Sequence, residues 1–285
     1  MLNLAVIGDP ISHSKSPIIH STVLEELKIP YTYSSFQVKK GELEQFLKLA
    51  KEKEIHGFNI TMPHKADIIP FLDEIDEEAR RYQAVNTVKI DNGKLYGYNT
   101  DADGYTTALR DAGSDFTGKH VVILGAGGVV TTLARKAAYE NAVKISILNR
   151  TIENAETIAA LVSAETGIKT DSAGFDTVTL KKYAEQADLL INATPLGMHG
   201  VTQDFIDLCF VQCLKPNVMV SDLIYNPTET NFLKAAREHG CPTVNGLGML
   251  LYQAFLADQI YTGLSFSFSN MKQRIENKIY VSSNL

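Results

Sequence analysis

The sequence predicts an α/β protein of two domains, each an open sheet flanked by helices. Three observations carry this reading. Short apolar runs alternate with segments of helical period. That alternation starts a second time at His120. The 285 residues amount to about two domains of ordinary size.

In the first half, Leu4-Ala-Val-Ile7 is an apolar run closed by Gly8-Asp-Pro10, a buried strand entering a loop. Residues 16–27 carry Ile18, Ile19, Val23, Leu24 and Leu27 on one helical face, with Pro17 suited to the first turn. Tyr31 to Val38 reads as a strand, and Gly41 to Lys53 as an amphipathic helix with Leu43, Phe46, Leu47 and Ala50 on one side. Gly57 to Thr61 is strand-like. A helix is expected through residues 73–82, then a strand at Ala84 to Val88 and a hairpin turn at Asp91-Asn-Gly93. Parallel strand–helix–strand units follow from this order. Gly104, Gly113 and Gly118 break the pattern and place a domain switch near residues 103–118.

The second start is Val121 to Leu124, then Gly125-Ala-Gly-Gly128 and a helix to about Tyr139. Lys144 to Leu148 is the next strand; Asp188 to Asn192, Val218 to Asp222 and Pro242 to Gly246 follow. From Met249 the chain is helical again. A strand running directly into close-spaced glycines and a helix gathers backbone N–H groups and a positive helix end, a seat for a pyrophosphate. Val130 stands where the usual fingerprint has Gly or Ala. NAD-binding domains carry Asp or Glu at the end of the second strand to hold the ribose 2′-hydroxyl. Here Asn149-Arg-Thr151 stands there, 24 residues beyond Gly125. Donors and positive charge suit a 2′-phosphate, so NADP is favoured. Glu153 and Glu156 work against it, and Arg150 could instead simply open a solvated helix that Thr151 caps. This half reads as a Rossmann-like NADP-binding domain.

Polar residues crowd the strand ends of the first half. Ser12-His-Ser-Lys-Ser-Pro17 puts three hydroxyls beside a helix N-terminus, a seat for a carboxylate. Asn59-Ile-Thr-Met-Pro-His-Lys65 gathers Asn, Thr and Lys around one turn, Asn86 sits in an apolar strand, and Asn99-Thr-Asp101 follows Gly97. In open α/β sheets ligands bind beyond the carboxyl ends of strands.

On these segments the sequence resembles the shikimate dehydrogenase family. The matching stretches are Gly8 to Pro17, Gly57 to Lys65, Ala84-Val-Asn-Thr87 and Gly97-Tyr-Asn-Thr-Asp101. Gly125 to Gly128, Asn149-Arg-Thr151, Ile191-Asn-Ala-Thr194, Asp222 to Pro227 and Gly246 to Gln253 continue the series. The resemblance implies an oxidoreductase that reduces 3-dehydroshikimate to shikimate with NADPH, in aromatic amino-acid biosynthesis. It implies an N-terminal open α/β substrate-binding domain of residues 1–104 plus 246–285, and the Rossmann-like domain at 105–245, with the active site in the cleft between them. Lys65 and Asp101 are then the catalytic pair. Ser14 and Ser16 bind the substrate carboxylate with Tyr225 nearby, and Asn59, Thr61, Asn86 and Gln253 hold its hydroxyls or shape the pocket. Gly125, Ala126, Gly127 and Gly128 hold the pyrophosphate, and Asn149, Arg150 and Thr151 the 2′-phosphate. Met249 and the Thr194 loop border the nicotinamide, and Gly246 also binds the cofactor. Alternatives are a quinate/shikimate dehydrogenase with NAD preference and a non-catalytic dinucleotide-binding regulator. Retention of Lys65 and Asp101 speaks against the regulator.

No metal is expected. Asp101-x-Asp103 lacks partner carboxylates, Asp103 has no assigned role, and Cys209, Cys213, His239 and Cys241 match no common zinc spacing. His13 and His64 read as bystanders of the site, and Tyr252 and Phe255 as core packing. With 45% hydrophobic and 21% charged residues the chain has the composition of a soluble globular protein. A net charge of −6 argues against nucleic acid or an anionic membrane as partner. Three cysteines do not make a disulfide scaffold, and no apolar run approaches the ~20 residues that span a bilayer. Leu4 to Ile7 has no basic residue before it and is not read as a signal peptide. A cytoplasmic enzyme with a small-molecule substrate is expected, and a homodimer is left open.

Overall fold

The structure, a computed structural model, describes residues 1–12 and 14–283. The chain divides into two compact units, Met1–Gly104 with Leu250–Leu285, and Tyr105–Met249.

The first unit opens with β1 (Leu2–Gly8), α1 (Ser16–Glu26), β2 (Tyr31–Gln37), α2 (Leu43–Glu52) and β3 (Gly57–Ile60). It continues through β4 (Glu74–Ile75), α3 (Glu77–Tyr82), β5 (Thr87–Asp91), β6 (Lys94–Tyr98) and α4 (Asp101–Asp111), the last passing into the second unit. The strand order is β2-β1-β3-β5-β6-β4. β1 pairs in parallel with β2 and β3, but β5 runs antiparallel to both β3 and β6. The sheet is therefore mixed, not parallel throughout as the strand–helix order suggests. Its cause is the hairpin: Asn92 and Gly93 take φ of 49° and 78°, the paired positive angles of a tight two-residue turn. One face packs Ala5 and Ile7 of β1 with Phe58, Ile60 and Val88 against Leu43, Phe46 and Ala50 of α2. The other packs Leu4 against Leu24 of α1.

Two expectations along this stretch are corrected. The helix over residues 73–82 shrinks to α3, because the Asp76 carboxylate accepts from the Ala79 N–H at 2.7 Å and starts the helix there, leaving Glu74–Ile75 extended. Gly104 does not break the chain's pattern either; it lies inside α4. A Cβ on it would stand 2.7 Å from the Gln253 backbone nitrogen, so the missing side chain lets two segments approach closely.

The second unit holds β7 (His120–Leu124), α5 (Gly128–Tyr139), β8 (Lys144–Leu148), α6 (Ile152–Thr166), β9 (Lys169–Ala173) and α7 (Thr177–Ala184). After these come β10 (Leu189–Asn192), β11 (Met219–Asp222), α8 (Asn231–Glu238) and β12 (Thr243–Val244). The sheet is parallel throughout, in the order β12-β11-β10-β7-β8-β9. This is the doubly wound arrangement in which strand order reverses beside the first strand, here between β7 and β10. Val121 and Ile123 pack on one face with Ile145, Ile147 and Ile191; Val122 and Leu124 pack on the other with Leu190 and Val220. Burial on both faces is why these strands read as unbroken apolar runs.

The chain returns to the first unit within α9 (Leu247–Thr262) and goes on to α10 (Ser269–Ser283). Ala257 and Tyr261 of α9 join Leu4 and Leu24 in one cluster. α10 buries Ile275 and Ile279 and lies along α1, with Lys278 Nζ 3.1 Å from Glu25 and Arg274 paired to Glu26. Among the described residues no helix is long and apolar enough to cross a membrane.

Candidate active site

The reversal of β5 decides where the polar residues of the first unit meet. Because β5 enters the sheet at the edge where β3 and β6 leave it, Asn86 at its start lies level with Ile60 and Asn99. Residues from four strand ends thus share one edge. Lys65, in the turn after β3, accepts the Val85 N–H on its carbonyl at 2.7 Å. Its Nζ donates to Asp101 Oδ2 at 2.6 Å, with side chains 30% and 11% exposed. The pair is shielded yet reachable. Asp101 is held in turn by Asn99, whose Oδ1 accepts the Asp101 N–H at 3.1 Å while its Nδ2 donates to the Ala84 carbonyl at 2.8 Å.

Asn86 is buried at the centre of a network. Its Nδ2 donates to Thr100 Oγ1 at 2.9 Å and to Gln253 Oε1 at 3.3 Å, and its Oδ1 accepts the Thr100 N–H at 2.8 Å. Gln253 is steadied by the Leu250 carbonyl, 2.8 Å from its Nε2. Asn59 accepts from the Tyr33 hydroxyl at 2.8 Å. Thr61 takes its place through an N–H bond to the Ile7 carbonyl, beside Gly8, where a Cβ would stand 2.3 Å from the Thr61 methyl. Ser14 and Ser16, half-buried after β1, lie together, the Ser14 Oγ accepting the Ser16 N–H at 3.3 Å. His64 is buried with Nε2 2.6 Å from the Val38 carbonyl, a framework contact. His13 lies outside the described residues.

In the second unit the glycine turn, Asn149–Thr151, Thr194, Tyr225 and Gly246 all follow the carboxyl ends of parallel strands or lie beside them. Gly125 takes φ of 110° and donates its N–H to the Leu148 carbonyl at 2.7 Å, tying the turn to the end of β8, just before Asn149. A Cβ there would stand 2.9 Å from the Ala193 carbonyl oxygen. Ala126 follows, and Gly127 caps α5 with no side chain in the way: nothing lies within 4 Å of a Cβ on Gly127 or Gly128. Arg150 is exposed and makes no ion pair among the described residues. Thr151 stands at the N-cap of α6, but its hydroxyl makes no cap bond and stays available. Glu153 and Glu156 of α6 are exposed nearby. Gly246 presses on β11's exit, where a Cβ would stand 2.0 Å from the Leu223 carbonyl oxygen, and Met249 packs partly buried against the core. Tyr225 is half-buried, and burial pushes its hydroxyl's pKa up.

Sequence reasoning passed over a buried network behind Thr194. The Thr194 N–H and hydroxyl both donate to Asn192 Oδ1, at 3.0 and 2.6 Å, and Asn192 Nδ2 donates to Asp222 Oδ1 at 3.0 Å. Asp222 also accepts from the Ile224 N–H and the Thr230 hydroxyl. Burial outweighs these donors and pushes its carboxyl up to about 6. Asn192 and Asp222 both stood in motifs of the resemblance, but no role was attached to them. Among the described residues no group of three or more His, Cys, Asp or Glu side chains is placed to hold a metal ion.

An open glycine turn at a helix N-terminus, donors at the next strand end, and a shielded lysine–carboxylate pair define a two-domain dinucleotide-binding fold of the oxidoreductase class. Residues 6–88 match the family profile of the shikimate dehydrogenase substrate binding domain, and residues 107–224 that of shikimate / quinate 5-dehydrogenase. The NADP(+) shikimate dehydrogenase of Alkaliphilus metalliredigens is 41% identical over 276 residues, 96% of each chain. A shikimate dehydrogenase crystallised with NADP+ superposes with a TM-score of 0.87 at 38% identity, over 98% of this chain and 96% of that one. The Listeria monocytogenes enzyme, crystallised with shikimate and NAD, gives 0.87 at 34% identity over 96% of each. The chain belongs to the shikimate dehydrogenase family.

Proposed function

We propose that this chain catalyses the reversible NADPH-dependent reduction of 3-dehydroshikimate to shikimate, in the cytoplasm, with the substrate held by the first unit. The observation that carries the reading is the 2.6 Å contact of Lys65 with Asp101, set among uncharged donors on one sheet edge. Such an edge suits a small ring bearing several hydroxyls and a carboxylate. Ser14 and Ser16 supply hydroxyl donors for the carboxylate, with Tyr225 assigned near it. Asn59, Thr61, Asn86 and Gln253 take the ring hydroxyls.

The residues of the second unit fit NADP. The space over Gly127 and Gly128 admits a pyrophosphate to the backbone N–H groups of α5, and Gly125 and Ala126 complete the turn. Asn149, Arg150 and the uncapped Thr151 hydroxyl supply charge and donors for a 2′-phosphate. Thr194 and Met249 border the nicotinamide, and Gly246 adds to the cofactor site. When bound, NADPH supplies the hydride. The negative charge that then grows on the ketone oxygen is met by the Lys65 ammonium, which donates its proton there. Asp101 aims Lys65 and accepts from a substrate hydroxyl. In the oxidative direction Lys65 takes the proton back.

Initial rates with shikimate and quinate, each with NADP+ and NAD+, test the reading. Shikimate with NADP+ is expected to be fastest, and absence of turnover with every pair would overturn the activity. Glu153 and Glu156 beside Arg150 support a second reading, a quinate/shikimate dehydrogenase that uses NAD; faster turnover with NAD+ would establish it.

A further inference from the structure

We infer that Asp222 is a positioning residue for the nicotinamide end of the cofactor site: its carboxylate fixes the Thr194 loop through Asn192 and the Tyr225 turn through the Ile224 backbone. The inference rests on the cofactor site proposed above and assigns a determinant behind it.

Asp222 ends β11 and is fully buried, as is Asn192 at the end of β10. Asp222 Oδ1 accepts from Asn192 Nδ2 and from the Ile224 N–H, each at 3.0 Å, and Oδ2 accepts the Thr230 hydroxyl at 2.7 Å. All three donors are uncharged. Burial pushes the carboxyl up to about 6, which leaves it ionised near neutral pH and able only to accept. A buried carboxylate that no cation meets is costly as mere filler.

Such an acceptor decides how Asn192 faces. Nδ2 must turn toward Asp222, so Oδ1 is left for Thr194, whose N–H and hydroxyl reach it at 3.0 and 2.6 Å. A flipped amide would set its carbonyl against the carboxylate and its N–H groups against two donors. The Thr194 oxygen in turn accepts the Leu196 N–H at 3.3 Å, so the start of the loop hangs on one amide. The Thr194 methyl lies against the glycine turn, 3.2 Å from where a Cβ on Gly125 would stand. The loop is therefore one wall of the crevice between β7 and β10, where strand order reverses and ligands of such sheets bind.

The second branch runs along the backbone. Asp222 holds the Ile224 N–H, the Ile224 carbonyl accepts the Gly246 N–H at 3.0 Å, and Tyr225 comes next in the chain. The Leu223 N–H donates to the Asn192 carbonyl at 2.9 Å and joins the two branches. One carboxylate thus sets Thr194, Tyr225 and Gly246 together.

Asp222→Ala removes the acceptor. Calorimetric titration with NADP+ and with adenosine 2′,5′-bisphosphate, which has the 2′-phosphate but no nicotinamide, is the test. Kd for NADP+ is expected to rise roughly tenfold, as for loss of a charge-assisted hydrogen bond, while Kd for the bisphosphate stays within about twofold. In steady-state kinetics kcat should fall by about 10²-fold, as for a reacting group misplaced by ~1 Å. Asn192→Ser leaves the carboxyl in place and cuts its link to Thr194. It should give the same split, and it decides the matter if Asp222→Ala does not fold. Equal shifts for the two nucleotides, or no shift for NADP+, would overturn the assignment while leaving the activity standing. A native chain that binds neither nucleotide would withdraw the cofactor site and this assignment together.

Discussion

In the proposed reaction, taking the ammonium from the Lys65–Asp101 pair would remove the charged donor from the reacting oxygen and leave the rest of the edge intact. Lys65→Ala is therefore expected to lower kcat by about 10²–10⁴-fold with little change in shikimate KM, measured by steady-state kinetics. An unchanged kcat would remove Lys65 from the chemistry. At this scale much of the site could be read in advance. Ser14, Asn59, Lys65, Asn86 and Asp101 are polar residues where apolar strands end, and the sheet edge gathers them. Tyr33 could not be read, because β2 alternates half-buried and exposed positions and one more aromatic there looks like packing.

Among elements, the ends of β10 and β11 carry a buried carboxyl whose protonation bears on stability. Asp222 is pushed up to about 6 when folded, against an ordinary value near 4. The folded chain thus holds this proton more tightly than the unfolded chain does. Its contribution is complete below about pH 4 and is lost as pH rises through about 6, by at most roughly 3 kcal/mol. Urea unfolding of native chain and Asp222→Asn between pH 4 and 7 should show the fall flattened in the variant; identical pH profiles would deny the group this role. The second unit's central strands were legible because both faces are buried. β9 was not: Lys-Thr-Asp-Ser-Ala is a polar, half-exposed edge strand defined only by its pairing with β8. The hairpin at Asn92-Gly93 was visible, but its effect on strand direction, and so on where Asn86 falls, emerges only with the sheet.

For the whole molecule, the double start of the strand–helix alternation announced two sheets, but nothing local explained residues 264–285. α10 accounts for residues 269–283 by burying Ile275 and Ile279 and pairing with Glu25 and Glu26 of α1. Removing residues 269–285 should cost about 3–6 kcal/mol, chiefly from the two isoleucines, since exposed ion pairs contribute little. A chemical unfolding curve that does not shift would mean that α10 lies on the first unit without supporting it. One consequence concerns synthesis. Leu4 and Leu24 leave the ribosome early, yet the residues that cover them, Ala257 and Tyr261, follow more than two hundred positions later. At about 5–20 residues per second they stay bare for roughly ten to fifty seconds. During that interval Tyr105–Met249 can be completed as a unit. The order of maturation thus inverts the order of translation, and the nascent substrate half is the part that a chaperone would have to guard.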